Sequence, residues 1–148
     1  MAHYAENRKA RFNYEILEKY EAGIELLGVE VKSVRGGRMS LEGAFVIVRG
    51  GEVFLINANV LPYQPNNTSK DYDPLRNKKL LLTKKEIATF TGSEKNKSLT
   101  IVPISVYNKG RKIKVEIALV KGKKKQDKRE SIKKRETDRE IRREYKER

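Results

Sequence analysis

No cysteine occurs among the 148 residues, which excludes disulfide bonds and thiolate metal sites and is compatible with a reducing, intracellular setting. Histidine is nearly absent: His3 is the single imidazole, and a ligand or general base needs oriented partners that a lone side chain near the chain start lacks. No apolar run approaches the roughly 18 residues that a membrane span requires, and the start, Met1-Ala2-His3-Tyr4-Ala5-Glu6 into Asn7-Arg8-Lys9-Ala10-Arg11, has no apolar h-region. A soluble, unexported, cytoplasmic protein with no membrane partner is expected. The phosphate-loop spacings G-x-x-x-x-G-K-[ST] and G-x-G-x-x-G are both missing, Gly36-Gly37-Arg38-Met39-Ser40 notwithstanding. A carboxylate-only Mg²⁺ nuclease could be assembled from Glu21, Glu25 and Glu30, but solubilisation of strand surfaces accounts better for those acids. The expectation is a non-enzyme with no catalytic residue, no metal and no cofactor.

What the chain has in excess is positive charge. There are 34 Lys and Arg against 20 Asp and Glu, a formal net charge of +14. Residues 1–120 carry 20 basic and 13 acidic side chains, and residues 121–148 carry 14 and 7, so half of the excess sits on the last 28 residues. Charge clustered in this way is the footprint of a phosphate-rich partner, because each neutralised phosphate releases condensed counterions.

The first 120 residues can close one modest core. Phe12–Tyr20 roughly alternates apolar and polar side chains, as a strand with one buried face would. Glu21-Ala22-Gly23 interrupts it with a glycine suited to a bulge or tight bend, and 24–28 resumes the alternation, so a hairpin or a strongly bent ribbon is expected. Residues 29–35 suit a short helix ended by Gly36-Gly37, against a β-branched content that favours strand. Two β-branched runs, 43–49 and 52–57, flank Gly50-Gly51 and predict a hairpin. Residues 62–79 read as a long polar loop. Thr83 and Glu86 fit the ends of a capping box for a helix over 84–91 that stops at Gly92. A second hairpin is predicted from 98–107, a turn at Asn108-Lys109-Gly110-Arg111 and 112–120, with Pro103 confined to an edge, an end or a bulge. About six strands, two short helices and no βαβ rhythm predict a mainly β (α+β) fold: an OB-like antiparallel six-stranded β-barrel over 1–120, of a kind that offers a groove for oligonucleotides.

The tail, 121–148, differs. From Asp127 on it has no Gly or Pro, and charges of both signs alternate at helical spacing, Asp138 and Arg142 for example. Its large apolar residues are Ile132, Ile141 and Tyr145, and nine positions at ~100° each put Ile132 opposite Ile141 around a helix axis. Without a stripe to dock on the barrel, the tail is expected to be disordered alone and helical on a partner.

Five fragments stand in an order and spacing that resemble the SsrA-binding protein (small protein B) family. They are Asn7–Phe12, Tyr20–Ile24, Gly28–Arg35, Lys79–Leu82 and Gly122–Glu130. The resemblance implies an OB-fold body that binds the tRNA-like domain of transfer-messenger RNA. It also implies a tail, 121–148, that occupies the decoding centre and empty mRNA channel of a stalled ribosome during trans-translation. It implies a protein that acts as a monomer on the RNA, and it implies RNA-binding residues: Glu21, Leu81 and Lys114, with Asn7, Arg8, Lys9 and Arg11 as neighbours, and Gly23, Lys32, Arg35 and Thr83. Glu21 can accept from base or 2′-OH donors or hold a cation in place, Leu81 can pack on an unstacked base, and Lys114 can neutralise phosphate. The ribosome-binding tail begins with Gly122, Lys123, Lys124, Lys125, Gln126, Asp127, Lys128 and Arg129. Thr83 stands where Asn or His is common in the family, and Gln126 where His or Tyr is common, which removes a ring able to stack on a base. Composition by itself allows a constitutive ribosomal or tRNA-binding barrel protein equally well.

Overall fold

The computed structural model describes residues 3–93, 96 and 98–122. Lys123 to Arg129, and every expectation for the tail beyond them, lie outside the described residues.

Long strands alternating between core and solvent dictate the architecture. Strand β1 (His3–Glu6) leads into helix α1 (Arg8–Asn13), followed by β2 (Tyr14–Ile24), α2 (Gly28–Arg35), β3 (Met39–Ser40), β4 (Phe45–Arg49), β5 (Glu52–Ile56) and β6 (Asn59–Val60). A 3₁₀ turn (Pro65–Asn67), β7 (Lys78–Leu81), α3 (Lys84–Ser93), β8 (Leu99–Lys109) and β9 (Lys112–Gly122) complete it. The antiparallel order β8-β4-β5-β7-β2-β9 returns to β8, so six strands close into a ring, with β1 added on β8 and β3–β6 as a separate small pair. The mainly β, antiparallel, six-stranded expectation is met, with three α-helices among the described residues in place of two.

Inside the ring, Ala22, Val53, Leu55, Leu80, Val106, Val115 and Ile117 pack into one core with Val34 of α2 and Phe90 of α3. Tyr20 meets Phe90 edge-on, ring centroids 4.7 Å apart. A second cluster, Ala10 with Val102, Ile104, Ala118 and Val120, seats α1 on the outer side of β8 and β9.

Some local expectations are corrected. Phe12 and Asn13, expected to open the first strand, instead close helix α1 (Arg8–Asn13), whose Ala10 gains the apolar site between β8 and β9, a tertiary reward that alternation over 12–20 could not reveal. Glu21-Ala22-Gly23 does not bend the chain: β2 runs unbroken to Ile24 because β9 pairs it throughout, and the bulge falls between Ile16 and Glu18. The strand expected to resume over 24–28 does not form either, since β2 ends at Ile24 and α2 begins at Gly28, and the expected 62–79 loop is two residues shorter because Lys78 and Lys79 pair with β5 as the start of β7. The turn and cap signals hold. Gly50 (φ 58°) and Gly51 (φ 75°) make the two-residue turn between β4 and β5, the conformation that glycine reaches without steric cost. Pro103 stands at a bulge in β8. Thr83 and Glu86 exchange the capping-box bonds, Glu86 N–H to Thr83 Oγ1 at 3.2 Å and Thr83 N–H to Glu86 Oε1 at 3.0 Å, although α3 runs on through Gly92 to Ser93.

The 62–77 loop is stitched to the body by polar groups in and beside it. Glu30 of α2 is fully buried; Arg76 donates to both of its carboxylate oxygens, at 2.6 and 3.2 Å, and the Leu27 N–H adds a third bond at 2.7 Å. Lys78, also fully buried, donates to the carbonyls of Ala58 (3.0 Å) and Arg76 (2.8 Å). Burial pushes the Lys78 amine below its ordinary pKa. Arg76→Ala leaves a buried carboxylate without its counter-charge, so it is expected to cost about 3 kcal/mol in urea denaturation. Adding Glu30→Gln is expected to recover part of that loss, and a cost under about 1 kcal/mol would show that the pair is not what anchors the loop.

Candidate nucleic-acid interface

Strand β2 is the middle strand of the site. Near its end Gly23 pairs with Leu81 of β7 on one side and Lys114 of β9 on the other, and Lys114 pairs in turn with Tyr107 of β8. Directly opposed residues share a face, so Leu81, Gly23, Lys114 and Tyr107 form a row across four strands. That row is on the outside of the ring, since the next residues along, Leu80, Ala22, Val115 and Val106, fill the core. A Cβ at Gly23 would lie 3.1 Å from Leu81 Cβ and 3.3 Å from its Cδ1. The missing side chain is therefore what lets Leu81 pack close against β2 while staying 49% exposed.

Glu21, two residues before Gly23, shares that outer face. The Tyr107 hydroxyl donates to its Oε2, and the Lys109 ammonium donates to its Oε1 at 3.0 Å. These donors, Tyr107 first and Lys109 second, hold the Glu21 carboxyl below its ordinary pKa of 4.5. Burial and the Glu21 carboxylate together push the Tyr107 hydroxyl well up, so it stays a donor. Glu21 thus holds a cation in place. Each oxygen keeps acceptor capacity for a donor from outside.

Helix α2 completes this side. The Arg35 guanidinium donates to the Arg111 carbonyl at 2.9 Å, tying α2 to the β8–β9 turn. Between them runs a groove of about 230 Å³ with an apolar floor of Ile24, Leu26, Val31 and Ile113, and Arg35, Arg111, Lys112 and Lys114 around it. An apolar floor ringed by cations suits an unstacked base with its flanking phosphates.

The remaining sequence candidates fall elsewhere. Lys32, on α2, stands 5.9 Å from the centre of the Tyr63 ring, facing a different groove. Asn7 is structural: its side chain donates to the Pro103 carbonyl (2.9 Å) and its backbone N–H to that of Ile104 (2.8 Å). Lys9 is paired with Glu42, whose carboxyl it lowers in pKa. Arg8 lines a cleft of about 420 Å³ with His3, Glu6, Lys19 and Glu116, and Arg11 lies on the same short helix α1. Thr83 spends its hydroxyl on the α3 cap, accepting from the Glu86 N–H and donating to Glu86 Oε1 at 2.9 Å. Gly122 is the last residue of β9, paired with Tyr14, so the body extends two residues past 120. Glu21, Glu25 and Glu30 do not converge: Glu21 is held by Tyr107 and Lys109, and Glu30 is buried against Arg76. Among the described residues no group of three His, Cys, Asp or Glu side chains is placed to hold a metal ion.

Sequence reasoning missed Tyr107, Lys109, Arg111 and Lys112. The signal for Tyr107 was within reach. Counting outward from the turn, with Lys109 opposite Lys112, puts Tyr107 opposite Lys114.

The family model described as SmpB protein matches residues 4–147 of the chain. This chain belongs to the SmpB family. Among its relatives, an SsrA-binding protein of Mesoplasma florum is 52% identical over 95% of this chain and 94% of its own length. An SsrA-binding protein of Thermosynechococcus vestitus is 47% identical over 97% of this chain and 95% of its own. A solved structure described as "tmRNA-SmpB: a journey to the center of the bacterial ribosome" superimposes with a TM-score of 0.67 at 42% identity, covering 86% of this SmpB chain and 92% of its counterpart.

The electrostatics of Glu21 can be tested directly. Its carboxyl titrates lower in the folded chain than in the unfolded one, so its contribution to stability is complete above the ordinary value of 4.5 and is lost as pH falls through the folded value. Thermal unfolding of wild type and Tyr107→Phe is therefore expected to differ most near neutral pH, with the gap narrowing below about pH 4. A gap that stays constant down to about pH 3 would mean that the hydroxyl acts by packing alone.

Proposed function

We propose that this SmpB-family chain is a non-enzymatic RNA-binding protein that takes the tRNA-like domain of transfer-messenger RNA on its β7–β2–β9–β8 face and acts with it on stalled ribosomes. The observation that carries the reading is the row Leu81–Gly23–Lys114. An exposed apolar side chain and a cation are fixed in strand register beside Glu21, in a chain whose relatives bear the name SsrA-binding protein. The roles follow from chemistry. Leu81 offers an apolar platform to an unstacked base, Lys114 and the cation held by Glu21 meet phosphate, and the free lone pairs of Glu21 accept from a base or a 2′-hydroxyl. Such an acceptor distinguishes RNA from DNA, which the cations alone do not. The tail from Lys123 to Arg129 and onward takes the second task, reaching the decoding centre and the mRNA channel, where its charge meets ribosomal RNA. Delivery takes place in the cytoplasm, where the ribosome works, with one copy of the protein on the RNA.

A filter-binding titration tests the body. Tight, salt-sensitive binding to the tRNA-like domain over ordinary tRNA is expected, whereas equal binding would favour a general tRNA-binding or ribosomal barrel. Lys114→Gln is expected to flatten the salt dependence by about 0.7 to 0.9 in log–log slope, the signature of one lost phosphate contact. Leu81→Ala is expected to weaken binding and leave that slope unchanged. The division of labour is tested separately: Asp127→Ala with Lys128→Ala and Arg129→Ala should leave RNA affinity nearly intact and abolish peptide tagging on stalled ribosomes. Joint loss of affinity and tagging would overturn the separation of body and tail.

A further inference from the structure

A second groove lies on the other side of α2 from the one that holds Lys114. Val31 and Arg35 line the basic groove, whereas Val29 and Lys32, with Leu27 at the helix start, line this one. Its opposite wall is the 62–72 segment, and its volume is about 390 Å³. Leu27 and Val29 are each 51% exposed and Tyr63 is 44% exposed, so three large apolar side chains face solvent around one depression.

The walls are fixed before any ligand arrives. Glu30, buried beneath α2, is clamped by Arg76; the Tyr72 hydroxyl donates to the Val60 carbonyl at 2.7 Å; and the Ser33 hydroxyl bonds the Leu61 carbonyl. A groove with rigid walls binds without first losing loop entropy.

Its chemistry is composite. The floor and sides are apolar and aromatic, the Lys32 ammonium stands 5.9 Å from the Tyr63 ring centre, and the rim carries Gln64, Asn67 and Asp71. Amide and carboxylate groups are the side chains that pair with the polar edges of bases, and an aromatic ring with a cation beside it is a stacking platform that also meets a phosphate. Asn67 Nδ2 donates to Gln64 Oε1 at 3.5 Å, which leaves further donors and acceptors on that amide pair and the Asp71 carboxylate for a partner, and an apolar side chain or a lipid surface offers no polar edge to meet them. A flat base with a polar edge uses every wall.

We infer that the groove between α2 and the 62–72 segment, with Tyr63 as its platform, is a second RNA contact that receives one unstacked nucleobase, Lys32 taking the adjoining phosphate. The inference rests on the RNA-binding reading above. It adds to that reading a site on the opposite side of α2, so an RNA crossing the helix touches both grooves.

The chain contains no tryptophan, so Tyr63→Trp places a single indole reporter in the groove. Titration of this variant with a transcript of the tRNA-like domain of transfer-messenger RNA is expected to quench the indole emission as the RNA saturates. Tyr63→Ala is expected to bind that transcript about tenfold more weakly, the scale of one lost base–aromatic stack, and Tyr63→Phe within about twofold of wild type. Should Tyr63→Ala prove unfolded by circular dichroism, Lys32→Gln takes its place, with weaker binding and a salt slope flattened by about 0.7 expected. Wild-type RNA binding accompanied by unquenched indole, or by undiminished affinity in the groove variant, overturns the groove assignment alone and leaves an apolar protein partner as its occupant. Failure of the wild-type chain to bind the transcript overturns both readings.

Discussion

At Gly23 strand β2 is paired on both sides, and the absence of a side chain there is what allows Leu81 to pack close to the strand from one side while Lys114 comes into register from the other. The same double pairing closes the ring. β2 joins β7 through residues 23 and 24 and joins β9 along nearly its whole length, so the β7–β2 junction is short and depends on the few residues that also form the site. A Cβ at position 23 would require Leu81 to give way by a few tenths of an ångström. The outer-face row and the closure of the sheet thus share the same few residues.

An acid at the centre of a basic face needs a reason. Glu21 sits between Lys109 and Lys114, and a surface meant simply to attract phosphate would do better without it. Its two oxygens are occupied by Tyr107 and Lys109, which turns a loose lysine on a hairpin turn into a positioned one. Tyr107 is itself nearly buried, with the His3 ring edge-on to it at 6.0 Å, so the hydroxyl that orients Glu21 comes from a side chain with little freedom. On the proposed reading, non-specific affinity is given up for orientation, the trade expected where one RNA must be told from many.

How much of this was readable from the residues depends on the distance over which the causes act. The Gly50-Gly51 turn, the Thr83–Glu86 cap and the β8–β9 hairpin are local, and their residue types dictate them. Helix α1 was not readable, because Ala10 is helical in answer to an apolar site built by residues more than ninety positions away, Val102, Ile104, Ala118 and Val120. The continuity of β2 through Gly23 was hidden for the same reason: a glycine that looks like a bend in isolation is held straight by neighbours on both sides. Leu81, Gly23, Glu21 and Lys114, which the resemblance singles out, are adjacent in space. Tyr107 and Lys109 were not found: the hairpin register puts Tyr107 opposite Lys114, but its hydroxyl reaching a carboxylate on β2 depends on the β2–β9 pairing, which no local signal gives.

The basic residues that sequence reading pooled into one set are divided by α2. Lys32 and Arg35 are one turn apart on that helix, yet one stands beside Tyr63 and the other beside Arg111 and Lys114. A helix of eight residues keeps its position between two grooves only if something beneath it resists rotation; Glu30, fully buried and bonded by Arg76 and by the Leu27 N–H, does so together with Val34 in the core and Ser33 bonded to the Leu61 carbonyl. A buried ion pair is a weak source of stability, because desolvation takes back most of the Coulombic gain. What it supplies is a unique arrangement: the carboxylate can be satisfied in one rotation of α2 and one path of the 62–77 loop. The pair is accordingly best understood as a positioning device, setting the cations of α2 against two surfaces at once.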